Sequence, residues 1–350
     1  MVRRVAFAVP GDLATPTGGY GYDRRMIAEL QNLGWRVDVV LLGDGFPRPS
    51  ESQKAFADKT LAAVEGSHPI VIDGLALGVL PGAAAAVRAK RPLVALIHHP
   101  LALETGLSAT DADAIRVSER TALASASTVI VTSAPTSRLL VQDYGVADTV
   151  ITVARPGTER APATRANRDG VVRLLSIGAL VRRKGFDVLI AALAMLTDLP
   201  WRLTIAGDRT RNPEVAARVN ADIARLKLGD RVHVLGTVSD GRINTLYGES
   251  DVFVLASRFE GYGMAYAEAL AHGLPVIGTT GGATPETVPR DAGILVAPDD
   301  VTALAGALRL VISSKAERER MASAAWTAAA ALPTWQESAR LFAAAIEAAA

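Results

Sequence analysis

Two carboxylates, Glu260 and Glu268, stand eight positions apart in the run Glu260-Gly261-Tyr262-Gly263-Met264-Ala265-Tyr266-Ala267-Glu268. The run reads as a loop-to-helix junction, and Val276-Ile277 beyond it reads as a buried strand. Were most of the interval helical, a rise of ~1.5 Å per residue would set the two α-carbons roughly 12 Å apart. At that separation one carboxylate can grip a sugar and the other a ribose, with a diphosphate between them. The competing reading is a capped surface helix with one solvated Glu at its start and another two turns on. The pair alone does not decide between these; its surroundings do.

Three further groups carry chemistry. Arg183 and Lys184, followed by Gly185, lie in the segment after the apolar run ending at Ile177 and open a helical pattern. A lysine there is a compact point charge for phosphate; the bland reading is a pair of solvated cations at a helix start. Gly18-Gly19 follow the first apolar run and precede a helical pattern beginning near Tyr20. Free amides at such a junction can face an anion, and glycine lets it come close. The segment is neither a G-x-G-x-x-G fingerprint nor a Walker loop, so a ligand-free turn competes. His98-His99 stand immediately after Leu93 to Ile97, where a strand end is expected. A histidine there can donate to a developing phosphate or orient a hydroxyl. The alternative is a structural histidine, and that alternative is stronger for His99. No metal site is expected: a histidine pair without other nearby ligands is a poor metal motif, and Asp111-Ala112-Asp113 reads as a helix surface. Arg24 and Arg25 read as solvated.

The elements that must position these residues alternate between strand and helix. Short β-rich runs lie at Val5 to Val9, Val37 to Leu41, Ile70 to Ile72, Leu93 to Ile97, Thr128 to Val131 and Val150 to Val153. A second series runs through Leu174 to Ile177, Leu203 to Ala206, Val232 to Leu235, Val252 to Leu255, Val276 to Ile277 and Ile294 to Val296. Helical patterns such as Met26, Ile27, Leu30 and Leu33 separate them. This alternation predicts α/β architecture with parallel sheets. The polar stretch Arg155 to Gly170 divides the two series, so two domains joined near residue 160 are expected. The chain's 350 residues fit two cores better than one.

Composition sets the limits. Lys plus Arg number 37 against 36 Asp plus Glu, so no overall basic field draws nucleic acid or an anionic membrane. Cysteine is absent, which excludes disulfides, thiolate nucleophiles and Cys-bound metals and fits a reducing cytoplasm. The N-terminus reads as a first strand, not a signal peptide.

The Glu-x7-Glu spacing, with Gly261-Tyr262-Gly263 in place of the usual Gly-Phe-Gly, resembles the signature of family 4 retaining glycosyltransferases, or glycosyl transferases group 1. Ser176 to Asp187 resembles the family's Gly-Arg-Leu-(x)3-Lys-Gly segment, with Ala179 where the family has arginine. Thr280-Gly281-Gly282 with Glu286 resembles its Gly-Gly-x-x-Glu loop, and Gly18-Gly19 its N-terminal glycine loop. The resemblance implies the GT-B fold, two facing Rossmann-like domains with a cleft between them. Residues 1–163 would be the acceptor-side domain and 164–332 the nucleotide-sugar domain, with 333–350 a helix crossing back to the first. It implies retaining transfer of a hexose-like unit from a UDP-, GDP- or ADP-sugar to a hydroxyl acceptor, whether small molecule, glycan or lipid-linked. No cofactor or metal is implied. Glu260 and His98 take catalytic roles; Gly18, Gly19, Arg183, Lys184, Glu268, Gly261, Tyr262 and Gly263 bind the donor. Arg182 or Arg183 is the candidate to replace the arginine missing at Ala179. The expected location is cytoplasmic, with peripheral contact at the inner membrane face left open. A sugar-nucleotide epimerase or hydrolase and a catalytically silent binding module remain as alternatives, the latter because of Ala179.

Overall fold

The computed structural model describes residues 3–104, 106–161 and 170–350. Their contacts form two units, Met1–Gly157 with Pro333–Ala350, and Thr158–Leu332. The expected boundary between residues 163 and 164 lies outside the described residues.

The first unit is a six-stranded sheet built from β1 (Arg4–Val9), β2 (Arg36–Leu41), β3 (Ile70–Asp73), β4 (Leu93–Ile97), β5 (Thr128–Val131) and β6 (Ile151–Val153), in the order β2-β1-β3-β4-β5-β6. All its pairings are parallel. Central strands of such a sheet are covered on both faces, which is why β4 is an unbroken apolar run with every residue buried. The chain returns to this unit through the helix Trp335–Ala349, opened by a Thr334/Glu337 capping box. Trp335, Ala339, Phe342, Ala343 and Ile346 share its buried face at helical spacing. Phe342 stacks on Phe7 of β1 at 6.1 Å, and Trp335 leans on Tyr22 at 5.8 Å.

The second unit holds β7 (Val172–Ile177), β8 (Trp201–Ala206), β9 (Val232–Gly236), β10 (Val252–Val254), β11 (Val276–Thr279) and β12 (Gly293–Val296) in the order β12-β11-β10-β7-β8-β9, again all parallel. This is the strand order of doubly wound nucleotide-binding folds, and the winding reverses between β7 and β10. In the first unit it reverses between β1 and β3. Ligands of open α/β sheets sit outside the carboxyl ends of the strands at such points. Among the described residues, no helix is long and apolar enough to cross a membrane.

Candidate active site

In the second unit the two strands flanking the reversal deliver the acidic and basic residues. After β7 the chain makes a 3-10 turn, Arg182–Lys184, and then Gly185 takes a left-handed conformation (φ 65°) before the helix Phe186–Ala194. Glycine is required there, because a Cβ would run into the Ala256 carbonyl. After β10 the loop Leu255 to Gly263 carries Glu260. The two loops are tied backbone to backbone, Arg258 N–H donating to the Arg183 carbonyl at 2.7 Å. Arg258 also reaches Asp187 at 2.8 Å and Asp299 at 2.7 Å, so it acts as a strut.

Lys184 Nζ meets Glu260 Oε1 at 2.6 Å, and Ser257 Oγ donates to the same oxygen at 2.5 Å. Arg183 donates to the Phe259 carbonyl at 2.8 Å and stands 3.5 Å from Glu260 Oε2. Arg183, not the exposed Arg182, therefore places a second cation beside Lys184. Burial pushes the Glu260 carboxyl up, but Lys184 and Arg183 outweigh it and hold the group at about 2. The centre is an ionised, almost fully buried carboxylate under two cations, with a net charge of +1 that suits a diphosphate.

The acidic loop is fixed before any ligand arrives. The Ala283 amide donates to the Glu260 carbonyl at 2.8 Å, Thr287 Oγ1 to the Tyr262 carbonyl at 2.6 Å and Tyr266 OH to the Leu255 carbonyl at 2.6 Å. Gly281 and Gly282 lie flat on this loop. A Cβ on either would collide with the backbone of Arg258 or Glu260.

Of the seven residues between the two carboxylates, the last four are helix and the first three are loop, so the helical rise considered above holds for the second part of the interval. The helix begins only at Met264 and runs to Ala271, behind Gly263 at φ 91° and with no side-chain cap. The Tyr266 and Ala267 amides donate back to the Gly263 carbonyl at 2.9 and 3.2 Å, which closes the first turn. Gly261 and Tyr262 are buried in the preceding loop. Glu268, half-buried on that helix, accepts from Tyr247 OH at 2.9 Å. Burial pushes it up to about 7, against the pull of the Tyr247 hydroxyl. Tyr247 in turn stacks on His272 at 4.7 Å. Glu286 is exposed on the short turn Thr284–Thr287.

In the first unit, Gly18 and Gly19 are themselves the first residues of the helix Gly18–Asn32, capped by Thr17, whose hydroxyl accepts from the Tyr20 amide at 3.2 Å. The helix thus starts two residues earlier than its apolar pattern suggests, because a cap needs a hydroxyl and not a hydrophobe. Gly19 lies against His98: a Cβ there would be 3.4 Å from His98 Cδ2. His98 Nε2 lies 3.2 Å from Asp23 Oδ1 and 3.4 Å from Asp73 Oδ2. These three side chains are a group among the described residues whose ligand types converge closely enough to hold a metal ion. His99 pairs with Glu104 at 2.7 Å. Asp111 and Asp113 lie on a helix surface, bonded to Ser108 and Arg116. Arg24 and Arg25 are both exposed, as expected, and each also makes a contact, Arg24 with the Thr15 carbonyl and Arg25 over the Trp335 ring.

Sequence reasoning missed Asp23, Asp73 and Tyr247. Asp73 carried a readable signal, the first polar residue after an apolar strand run, which is what singled out His98. Asp23 carried none, because beside Arg24 and Arg25 it reads as part of a solvated helix face.

Residues 158–327 match the family model described as glycosyl transferases group 1. An MMP alpha-(1->4)-mannosyltransferase of Mycolicibacterium hassiacum is 27% identical over 312 residues, 83% of this chain and 73% of that protein. A D-inositol 3-phosphate glycosyltransferase of Pseudarthrobacter chlorophenolicus is 33% identical over 201 residues, 53% of this chain and 47% of the relative. Among solved structures, the sucrose-phosphate synthase of Thermosynechococcus elongatus superposes with a TM-score of 0.82 at 23% identity, covering 98% of this chain and 100% of that one. HepE of Anabaena in complex with UDP and glucose gives a TM-score of 0.76 at 20% identity, over 97% of this chain and 99% of that one.

Proposed function

We infer that this chain, whose residues 158–327 match the group 1 glycosyl transferase model and whose fold is that of GT-B glycosyltransferases, moves a hexose-like unit from a nucleotide diphosphate sugar to a hydroxyl acceptor with retention at the anomeric carbon. The observation that carries the site assignment is the convergence of Lys184, Arg183 and Glu260 where the winding of the second sheet reverses. Lys184 and Arg183 take the donor diphosphate. Glu260, released from Lys184 as the phosphates bind, holds the donor sugar's hydroxyls and stabilises positive charge developing at the anomeric centre. Glu268 binds the ribose. In the first unit, Gly18 and Gly19 offer backbone amides, and His98 donates to phosphate or orients the acceptor hydroxyl. The departing diphosphate serves as base for the acceptor proton, so no further carboxylate is required. Two cations and backbone amides neutralise the leaving group without a metal ion.

The test is a thermal-shift screen of UDP-, GDP- and ADP-sugars, then mass spectrometry of products with a panel of small, glycan and lipid-linked acceptors, in the presence of excess EDTA. A glycosylated product whose anomeric configuration matches the donor supports the reading. Free sugar or an epimerised nucleotide as the product, or a strict metal requirement, overturns it.

A further inference from the structure

His98 is held in an unusual way. Two carboxylates from different elements, Asp23 on the helix Gly18–Asn32 and Asp73 at the end of β3, approach the same ring nitrogen, Nε2, at 3.2 and 3.4 Å. Asp23 is 0% exposed and Asp73 2%. Burying two carboxylates beside each other is costly unless a cation or a shared proton offsets them. Asp73 has one further donor, the Leu75 amide at 2.6 Å, because it caps the short helix Gly74–Leu77. Asp23 Oδ2 is buried and accepts no hydrogen bond. The ring is fixed on its other sides by the Tyr22 edge, 5.3 Å away, and by Gly19. Asp23, Asp73 and Tyr22 are the titratable groups that face it. With Nε2 engaged twice, Nδ1 is the ring nitrogen left for a ligand.

We propose that Asp23 and Asp73 are positioning residues that clamp His98 by Nε2 and keep it an imidazolium, so that Nδ1–H is a permanently charged donor to an anionic oxygen of the substrate. This rests on the reading of the site as one for a nucleotide diphosphate sugar. The electrostatics agree with the geometry. Burial alone would pull the His98 imidazolium down, but the two carboxylates outweigh it and raise it to about 10. Burial and its neighbour Asp73 push Asp23 up to about 7, while Asp73, although buried, is held below its ordinary value by His98. A lone histidine near 6.5 would be neutral through most of the physiological range; this one carries its charge throughout. The charge does not arise from the histidine itself but from residues that never touch the ligand.

The experiment is a long-range ¹H–¹⁵N spectrum of the uniformly labelled full-length chain, with His98 assigned by its loss in His98→Gln. Both ring nitrogens protonated at pH 8 is the expected result; an unprotonated ring nitrogen at that pH overturns the proposal. In Asp73→Asn the His98 midpoint should fall by about two units, and turnover should drop about tenfold at pH 9 while approaching wild type at pH 6. An unmoved midpoint, or an equal loss at both pH values, sinks the clamp. If Asp73→Asn does not fold, Asp23→Asn gives the same comparison, and the wild-type spectrum decides the protonation state without either variant. The spectrum is independent of turnover, so a charged His98 in a chain that transfers no sugar would defeat the functional reading and leave the clamp standing.

Discussion

Lys184 Nζ lies 2.6 Å from Glu260 Oε1, although 76 positions of sequence separate the two residues. The pair forms because β7 and β10 are neighbours in the sheet, with Phe253 in register with Leu175, so the loops that leave them meet. Glu260 is thereby a buried charge whose compensation is the same cation proposed to take the donor diphosphate.

Removing that cation should have two separable effects. Lys184→Ala loses a charge-assisted phosphate contact, so donor affinity falls by ~1.5–3 kcal/mol. It also strands a buried carboxylate, so folding stability falls by ~3 kcal/mol or more. Adding Glu260→Gln to Lys184→Ala should recover part of the stability and none of the affinity. Urea melts and nucleotide-sugar titrations of the single and double variants test this. Undiminished donor affinity in a folded Lys184→Ala protein rejects the phosphate role.

Glu260→Gln should lower turnover by roughly 10²- to 10³-fold with little change in nucleotide affinity, because the residue acts at the reacting sugar. Single-turnover kinetics beside nucleotide titration separates the two. Its linkage to folding has a definite sign. The folded value of about 2 lies below the unfolded one, so the charge contributes stability above pH ~4.3 that is lost as pH falls toward 2. The wild-type advantage over Glu260→Gln in acid titrations should shrink across that window and not above it.

Glu268 shows the opposite sign. Its value of about 7 is raised by burial, so the stability tied to its proton is complete below pH ~4.3 and lost as pH rises through 7. Glu268→Gln should therefore be more stable than wild type at pH 8 and no more stable at pH 4. A ribose hydroxyl needs the ionised acceptor, so wild-type nucleotide affinity should rise severalfold, up to about tenfold, between pH 6 and pH 8. Calorimetry at the two pH values checks it; a flat profile, or one that survives Glu268→Gln, removes Glu268 from the ribose.

Two glycine substitutions should move in opposite directions. At Gly282, φ is 65° and a Cβ would strike the Glu260 backbone, so Gly282→Ala should cost more than about 2 kcal/mol and reduce turnover by shifting Glu260. Gly306 lies inside the helix Val301–Ser313 with open space where a Cβ would go, so Gly306→Ala should stabilise by about 0.5–1 kcal/mol and leave turnover unchanged. Denaturant melts of both decide whether the Gly281–Gly282 loop supports the acidic motif.

The sequence by itself determined the twelve strands, which strand ends carry Lys184, His98 and the acidic motif, and the class of reaction. Buried parallel strands are apolar along their whole length, so they stand out from amphipathic helices without any tertiary information. The order of Lys-Gly, Glu-x7-Glu and Gly-Gly along the chain pointed to a sugar-nucleotide site. Tertiary structure decided the pairings. That Arg183 and not Arg182 joins Lys184 at Glu260 depends on the turn Arg182–Lys184 and on Arg258, which ties that turn to the acidic loop. That Asp23 is buried against His98, while Arg24 and Arg25 beside it turn to a loop carbonyl and an indole face, depends on the helix rotation fixed by packing against Trp335 and Phe342. Charge states near such pairs are set by desolvation and by partners far away in sequence. A pattern of residue types records neither, so Asp23 looked like solvent-facing charge until the fold placed it behind the histidine.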